Sequence, residues 1–182
     1  MTDTPHDAQT PTVPAGVRAV VAARRWLGTP YVHQASTRGA GCDCLGLIRG
    51  VWREVMGEEP ETPPPYAPDW TATDGGRETL LLAAARHLRP LWLDRPARAA
   101  LISAGHDMAD LPQETAAPPA AAIAPGTVLL FRYRRHLPAR HAGIATGNGT
   151  MIHAREGTGV VEEPLTGWWH RHLAAVFAWP VR

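Results

Sequence analysis

The feature that most constrains the fold is a change of hydrophobic period partway along the chain. Residues 17–27 (VRAVVAARRWL) and 45–57 (LGLIRGVWREVMG) repeat apolar residues at helical spacing. The second run places Leu45, Ile48, Val51, Trp52 and Val55 on one face, and residues 77–88 (RETLLLAAARHL) offer a further amphipathic helix. After Pro125-Gly126 the period shortens to strand-like runs: TVLLF, HAGIAT, TMIHA, GVVEE and AAVFAW. Helices first and strands afterwards predict an α+β protein, with N-terminal helices packed on an antiparallel β-sheet. At 182 residues the chain suits one domain, within the common span of about 100–200 residues. Residues 1–16 read as a flexible arm and 17–182 as the domain, with an insertion around 58–124. Within that insertion, Asp94 to Ala124 is rich in Ala and Pro, shows little period and reads as a surface excursion.

The charge balance narrows the function classes. A formal charge of +1 and 45% apolar residues give no electrostatic case for nucleic acid or a membrane surface. No run approaches the ~18 consecutive apolar residues that a membrane helix needs. The N-terminal MTDTPHDAQTPTVPAG is polar and Pro-rich, unlike a signal peptide, so synthesis in the cytoplasm without an export signal is expected. The two cysteines, Cys42 and Cys44, stand too close for an unstrained disulfide and read as thiols.

Both sit in GCDCLGL, residues 41–47, at the start of the second helical run. Three readings compete. Each thiol can be a small buried hydrophobe, the common fate of free cysteine. A cysteine at a helix N-terminus faces unpaired N–H groups that favour its thiolate, which suits a nucleophile. Cys42, Cys44, His141 and His153 are also residue types for a tetrahedral zinc, although C-x-C is a less usual spacing than C-x₂-C.

A nucleophile needs a base, which directs attention to the nine histidines. His136, His170 and His172 fall among arginines or tryptophans in expected loops, His6 falls in the arm, and His33, His87 and His106 have no clear address. His141 and His153 belong to strand-like runs in HAGIATGNGTMIHA, which reads as a hairpin. A three-residue loop, Gly147-Asn148-Gly149, sets Gly143 opposite His153 and both histidines on one face, as diagonal neighbours about 7–8 Å apart. A two-residue Asn148-Gly149 turn, the stronger local signal, sets them on opposite faces unless a bulge compensates. For joint chemistry we expect the three-residue loop, with Gly149 left-handed and both rings directed at the start of the 45–57 helix.

Three blocks in order, LGTPYVHQASTRGAGCDCLGLIRGVW, PGTVLLF and HAGIATGNGTMIHA, resemble the NlpC/P60 family of papain-like cysteine peptidases over about Trp26 to Trp179. GCDCLGL, PPPYAPDW and Trp168-Trp169 resemble its phage-associated branch, including the peptidase of phage-like gene transfer agents. The resemblance implies Cys44 as nucleophile, with Cys42 a bystander, His141 as general base, and His153 as the polar group orienting it. It implies an oxyanion site from the Cys44 N–H and the Tyr31 hydroxyl, and Asp43 binding the amino group of a peptidoglycan stem peptide. It further implies a thioester intermediate, no metal or other cofactor, and tail or baseplate proteins as partners in a virion-like particle. Two departures stand out: P-G-T with Thr127 where P-G-D is common, and Leu45 where serine is frequent. A zinc-binding module and a catalytically silent structural tail protein of the same fold are the alternative functions.

Overall fold

The computed structural model describes residues 13–66 and 76–181. Helix α1 (Ala15–Arg24) buries Ala19, Val20, Ala22 and Ala23. It starts inside the range read as an arm, whose first twelve residues lie outside the described ones. A short hairpin, β1 (Ser36–Thr37) with β2 (Gly41–Cys42), leads directly into α2 (Cys44–Met56). Asp43 caps α2, its carboxylate accepting the Gly46 N–H at 2.7 Å, which supplies one of the partners a helix start lacks. Gly46 is required for a second reason: a Cβ there would stand 1.9 Å from the Ala35 carbonyl oxygen. Leu47, Ile48, Val51, Val55 and Met56 are the buried large side chains of α2, beside the buried Gly46 and Gly50, while Leu45 and Trp52 are half-buried.

The third helical run folds as α3 (Thr79–His87). The stretch read as a surface excursion departs from expectation. Strand β3 (Arg89–Leu93) pairs at the sheet edge with β8 (Leu173–Ala178), and α4 (Arg95–Ser103) buries Ala97 and Leu101 completely. Asp94 caps α4 through the Ala97 N–H at 2.8 Å. The remainder of that stretch, to Ala124, holds only two single 3₁₀ turns.

Strands β4 (Val128–Phe131), β5 (His141–Gly147), β6 (Thr150–Arg155) and β7 (Gly159–Pro164) follow, then a single helical turn α5 (Trp168–Arg171) before β8. The main sheet has six strands in the order β3-β8-β4-β5-β6-β7, every pair antiparallel. Period-two alternation divides it between two cores. Val128, Leu130, Ala142, Ile144 and Ile152 pack beneath α1 and α2, whereas Leu129, Phe131, Met151, Leu165 and Val176 form a smaller cluster on the far face. Covering both faces explains why all four β4 residues are buried. Each fully buried Leu or Phe there contributes about 1.5–3 kcal/mol.

The β5–β6 hairpin resolves the conflict between turn propensity and site parity. Gly147 pairs with Thr150 around a two-residue turn, with Asn148 at φ 53° and Gly149 at φ 73°. The three-residue loop is therefore not formed. Further back, Ala145 pairs with Met151 and Ile144 with Ile152, so Thr146 is an extra residue that shifts the register by one. The bulge restores the parity: Gly143 lies opposite His153, and a Cβ on it would stand 3.3 Å from that of His153.

Candidate active site

Cys44 is the first residue of α2 and is half-buried. Its Sγ lies 3.9 Å from the Arg140 carbonyl oxygen, and the Ala142 N–H also lies against it, so the thiol rests on the main chain on either side of His141. Burial and then the Asp43 carboxylate push the thiol up to about 12, against the opposing pull of the Ala142, Leu45 and Cys44 N–H groups. A thiolate favoured by the helix start is therefore not the resting form; desolvation outweighs the helix N-terminus. Cys42 is fully buried in the main core, its thiol also pushed up to about 12 by burial and Asp43.

His141 and His153 share a face, and their rings meet: His141 Nε2 and His153 Nδ1 are 2.7 Å apart. His153 Nε2 is 2.9 Å from Glu163 Oε1, which also accepts the Trp169 indole N–H at 2.6 Å. Trp169 stacks on His141 with centroids 5.1 Å apart and meets His153 edge-on. Burial, and secondarily His153, lower the His141 pKa to about 3, so the resting pair is thiol and neutral imidazole. Both rings stand on one side of the sheet, close to where Cys44 meets the main chain of β5. That side is shared with Phe131 and Trp169, while Cys44, the first residue of α2, meets the chain beside His141 at the start of β5.

The segment leading into His141 is braced from below. Arg132, 3% exposed, grips both Asp94 oxygens at 2.8 and 3.0 Å, Glu78 at 2.8 Å and the Leu137 carbonyl at 2.6 Å. Glu78 in turn accepts the Ala139 N–H at 2.9 Å. A buried guanidinium satisfied this fully holds a loop in place, whereas one losing a partner would destabilise it.

Tyr31 lines the cleft in front of the histidines with Tyr133, Trp168 and Trp169. Burial and then Cys44 hold its phenol well above the usual range, so it presents a hydroxyl donor. Asp43 departs from expectation. It is 2% exposed and its carboxylate is occupied by the Gly46 and Gln34 N–H groups, both at 2.7 Å, and the Tyr66 hydroxyl at 2.6 Å. This carboxylate builds the helix start, with both oxygens already bonded within the chain. Thr127 donates to the Ala124 carbonyl at 2.9 Å, and Leu45 lines a mostly apolar cavity with Ile48, Trp52 and Ala142.

The zinc reading loses its donors. Both ring nitrogens of His153 are engaged, Cys42 lies in the core, and among the described residues no three His, Cys, Asp or Glu side chains are grouped to hold a metal. Most of the other described histidines have local partners: His33 faces Tyr66 and Asp43, His106 the Leu101 carbonyl, His170 that of Pro118 and His172 that of Trp168. Glu163, Trp169 and Tyr66 went unassigned in the sequence. Alternation in GVVEE was the available signal for Glu163, since it shares a face with Val161, the residue opposite His153. No helix among the described residues is long and apolar enough to cross a membrane.

No curated protein matches the chain. Solved structures similar to it include NlpC1 from Trichomonas vaginalis, 17% identical with a TM-score of 0.56, covering 94% of this chain and 46% of that one. An NlpC/P60 family protein from Bacillus cereus gives 18% identity and a TM-score of 0.52, over 92% of this chain and 41% of that one. The NlpC/p60 domain of the peptidoglycan hydrolase SagA gives 18% identity and 0.50, over 90% and 97%. The chain thus spans under half the length of the first and second of these and nearly all of the third. Identities this low carry the fold alone, but the model of the NlpC/P60 family matches residues 28–177, most of the sequence, and the chain belongs to that family.

Proposed function

We propose that the protein is a cysteine peptidase that cuts peptidoglycan stem peptides. The observation that carries this reading is the Cys44 thiol lying against the main chain at His141, whose ring is hydrogen-bonded to His153. His141 takes the thiol proton as the sulfur attacks the scissile carbonyl carbon. The oxyanion is met by the Cys44 N–H and the Tyr31 hydroxyl. Collapse expels the amine, which receives the proton from His141, and leaves a thioester on Cys44. Water, deprotonated by His141, then hydrolyses the thioester and frees the acid. The substrate class rests on the family and on the wall-hydrolysing relative of similar fold. A site that begins as neutral thiol and neutral imidazole has its proton moved as the substrate arrives. Digestion of purified sacculi, followed by mass analysis of the fragments, tests the reading: new termini within the stem peptide support it, and intact stem peptides refute it.

We also infer a tail-associated role, with tail or baseplate proteins as partners and delivery to a target cell wall in a virion-like particle. GCDCLGL and the Trp168-Trp169 pair support it by resemblance. Absence of the protein from purified particles would contradict it. The catalytically silent alternative is opposed by the retained thiol and paired imidazoles.

A further inference from the structure

We infer that Glu163 is a positioning residue that sets the tautomers of both histidines, so that the active site is wired Cys44–His141–His153–Glu163. The inference deepens the peptidase reading but can be tested without substrate. Glu163 Oε1 faces two nitrogens, His153 Nε2 at 2.9 Å and Trp169 Nε1 at 2.6 Å. An indole N–H only donates, so this oxygen is an acceptor held in place by Trp169. Arg155 Nη1 lies 3.6 Å from Oε2 and sets a positive charge beside the other oxygen.

An ionised carboxylate has no proton to give, so His153 Nε2 must carry one. In neutral imidazole the other nitrogen is then a bare acceptor, which makes His153 Nδ1 the acceptor of the 2.7 Å bond. His141 Nε2 therefore carries the donated proton. By elimination, the lone pair of His141 falls on Nδ1, the nitrogen turned away from His153 and left to take the thiol proton. The opposite assignment sets the lone pair of His153 Nε2 against a carboxylate oxygen at 2.9 Å, two acceptors with no proton between them. The same carboxylate offsets the charge when His141 becomes imidazolium, as its pull on His153 against burial already indicates. Trp169 fixes the arrangement twice, by its N–H on Glu163 and its ring stacked on His141.

The experiment is ¹H–¹⁵N spectroscopy of the imidazoles in the full chain near neutral pH, together with steady-state kinetics on wall fragments. In the wild type both His141 and His153 are expected as the Nε2–H tautomer. In Glu163→Ala, His153 should lose that preference, with kcat falling about 10²-fold or more and KM within about twofold, as for a base held in the wrong tautomer. Glu163→Gln keeps an acceptor for both donors, so it should restore the wild-type tautomers and part of kcat. A wild type with His153 protonated on Nδ1 overturns the inference, even if Glu163→Ala fails to fold. So does Glu163→Ala with unchanged tautomers and kcat. A wild type with both Nε2–H tautomers that leaves wall fragments uncut overturns the peptidase reading and leaves the wiring standing.

Discussion

His141 should make the protein sensitive to mild acid, well above the range where carboxylates titrate. Its ring is 7% exposed, and burial with His153 lowers its pKa from 6.5 to about 3. The folded pKa lies below the unfolded one, so the unfolded chain takes up the proton first. The stabilising difference is complete above about pH 6.5 and is lost as pH falls towards 3. One proton corresponds to a slope of about 1.4 kcal/mol per pH unit, so moving from pH 8 to pH 5 should remove about 2 kcal/mol. For a chain of this size that is a fall in Tm of roughly 4–8 °C. His153 is fully buried and shifted the same way, with Glu163 opposing, so it adds to the effect. Glu59, Glu61 and Glu162 are held below 4.5, so their contribution is lost only at lower pH, while burial raises Asp94, whose effect has the opposite sign. The assay is urea unfolding of wild type and His141→Gln at pH 8, 6.5 and 5. The glutamine retains a polar partner for His153 but cannot titrate, so its stability should fall by about 2 kcal/mol less over that interval. Parallel pH curves for the two proteins would rule out His141 as the source of the acid sensitivity.

Four other variants have expected outcomes. Cys44→Ala should abolish hydrolysis at near wild-type stability, while Cys42→Ser should keep activity but lose about 1–3 kcal/mol in thermal unfolding, because the hydroxyl enters a fully buried core site. Deleting Gly149 should leave activity within a few-fold, since the bulge can absorb it: Gly147-Asn148 becomes the turn, Thr146 pairs with Thr150, and Ile144 stays opposite Ile152. Gly143→Val should instead abolish activity and cost about 1–3 kcal/mol by overpacking against His153 and Met151, read from kcat and from urea midpoints.

The first three helices and most strands were legible because each buries a regular apolar pattern, as in VLLF of β4 or the Ile48, Val51 and Val55 series of α2. β3 was not, because RPLWL opens with Arg-Pro, a pattern a sheet tolerates only at its edge, where this strand lies. The α4 start, Asp94-Arg95-Pro96, carries a capping signal that the surrounding alanines and prolines obscured. At the hairpin, turn propensity and active-site parity were each sound separately. What neither revealed was Thr146, a bulge residue decided by pairing across β6 and not by local preference. Cys44, His141 and His153 were readable from their neighbours in sequence. The bond from Tyr66 to Asp43 was hidden because Tyr66 arrives from 23 residues away. Glu163 reads as a surface glutamate until β6 and Trp169 place His153 and an indole beside it.

In the proposed peptidase the carbonyl of the cut bond passes through Cys44. The most direct test is intact-protein mass measurement of acid-quenched mixtures with stem-peptide fragments. The expected result is a transient mass increase equal to the acyl fragment, mapped to Cys44 by peptide analysis and absent in Cys44→Ala. Cleavage of the fragments by Cys44→Ala at the wild-type rate, or an acyl group carried on any other residue, would contradict it.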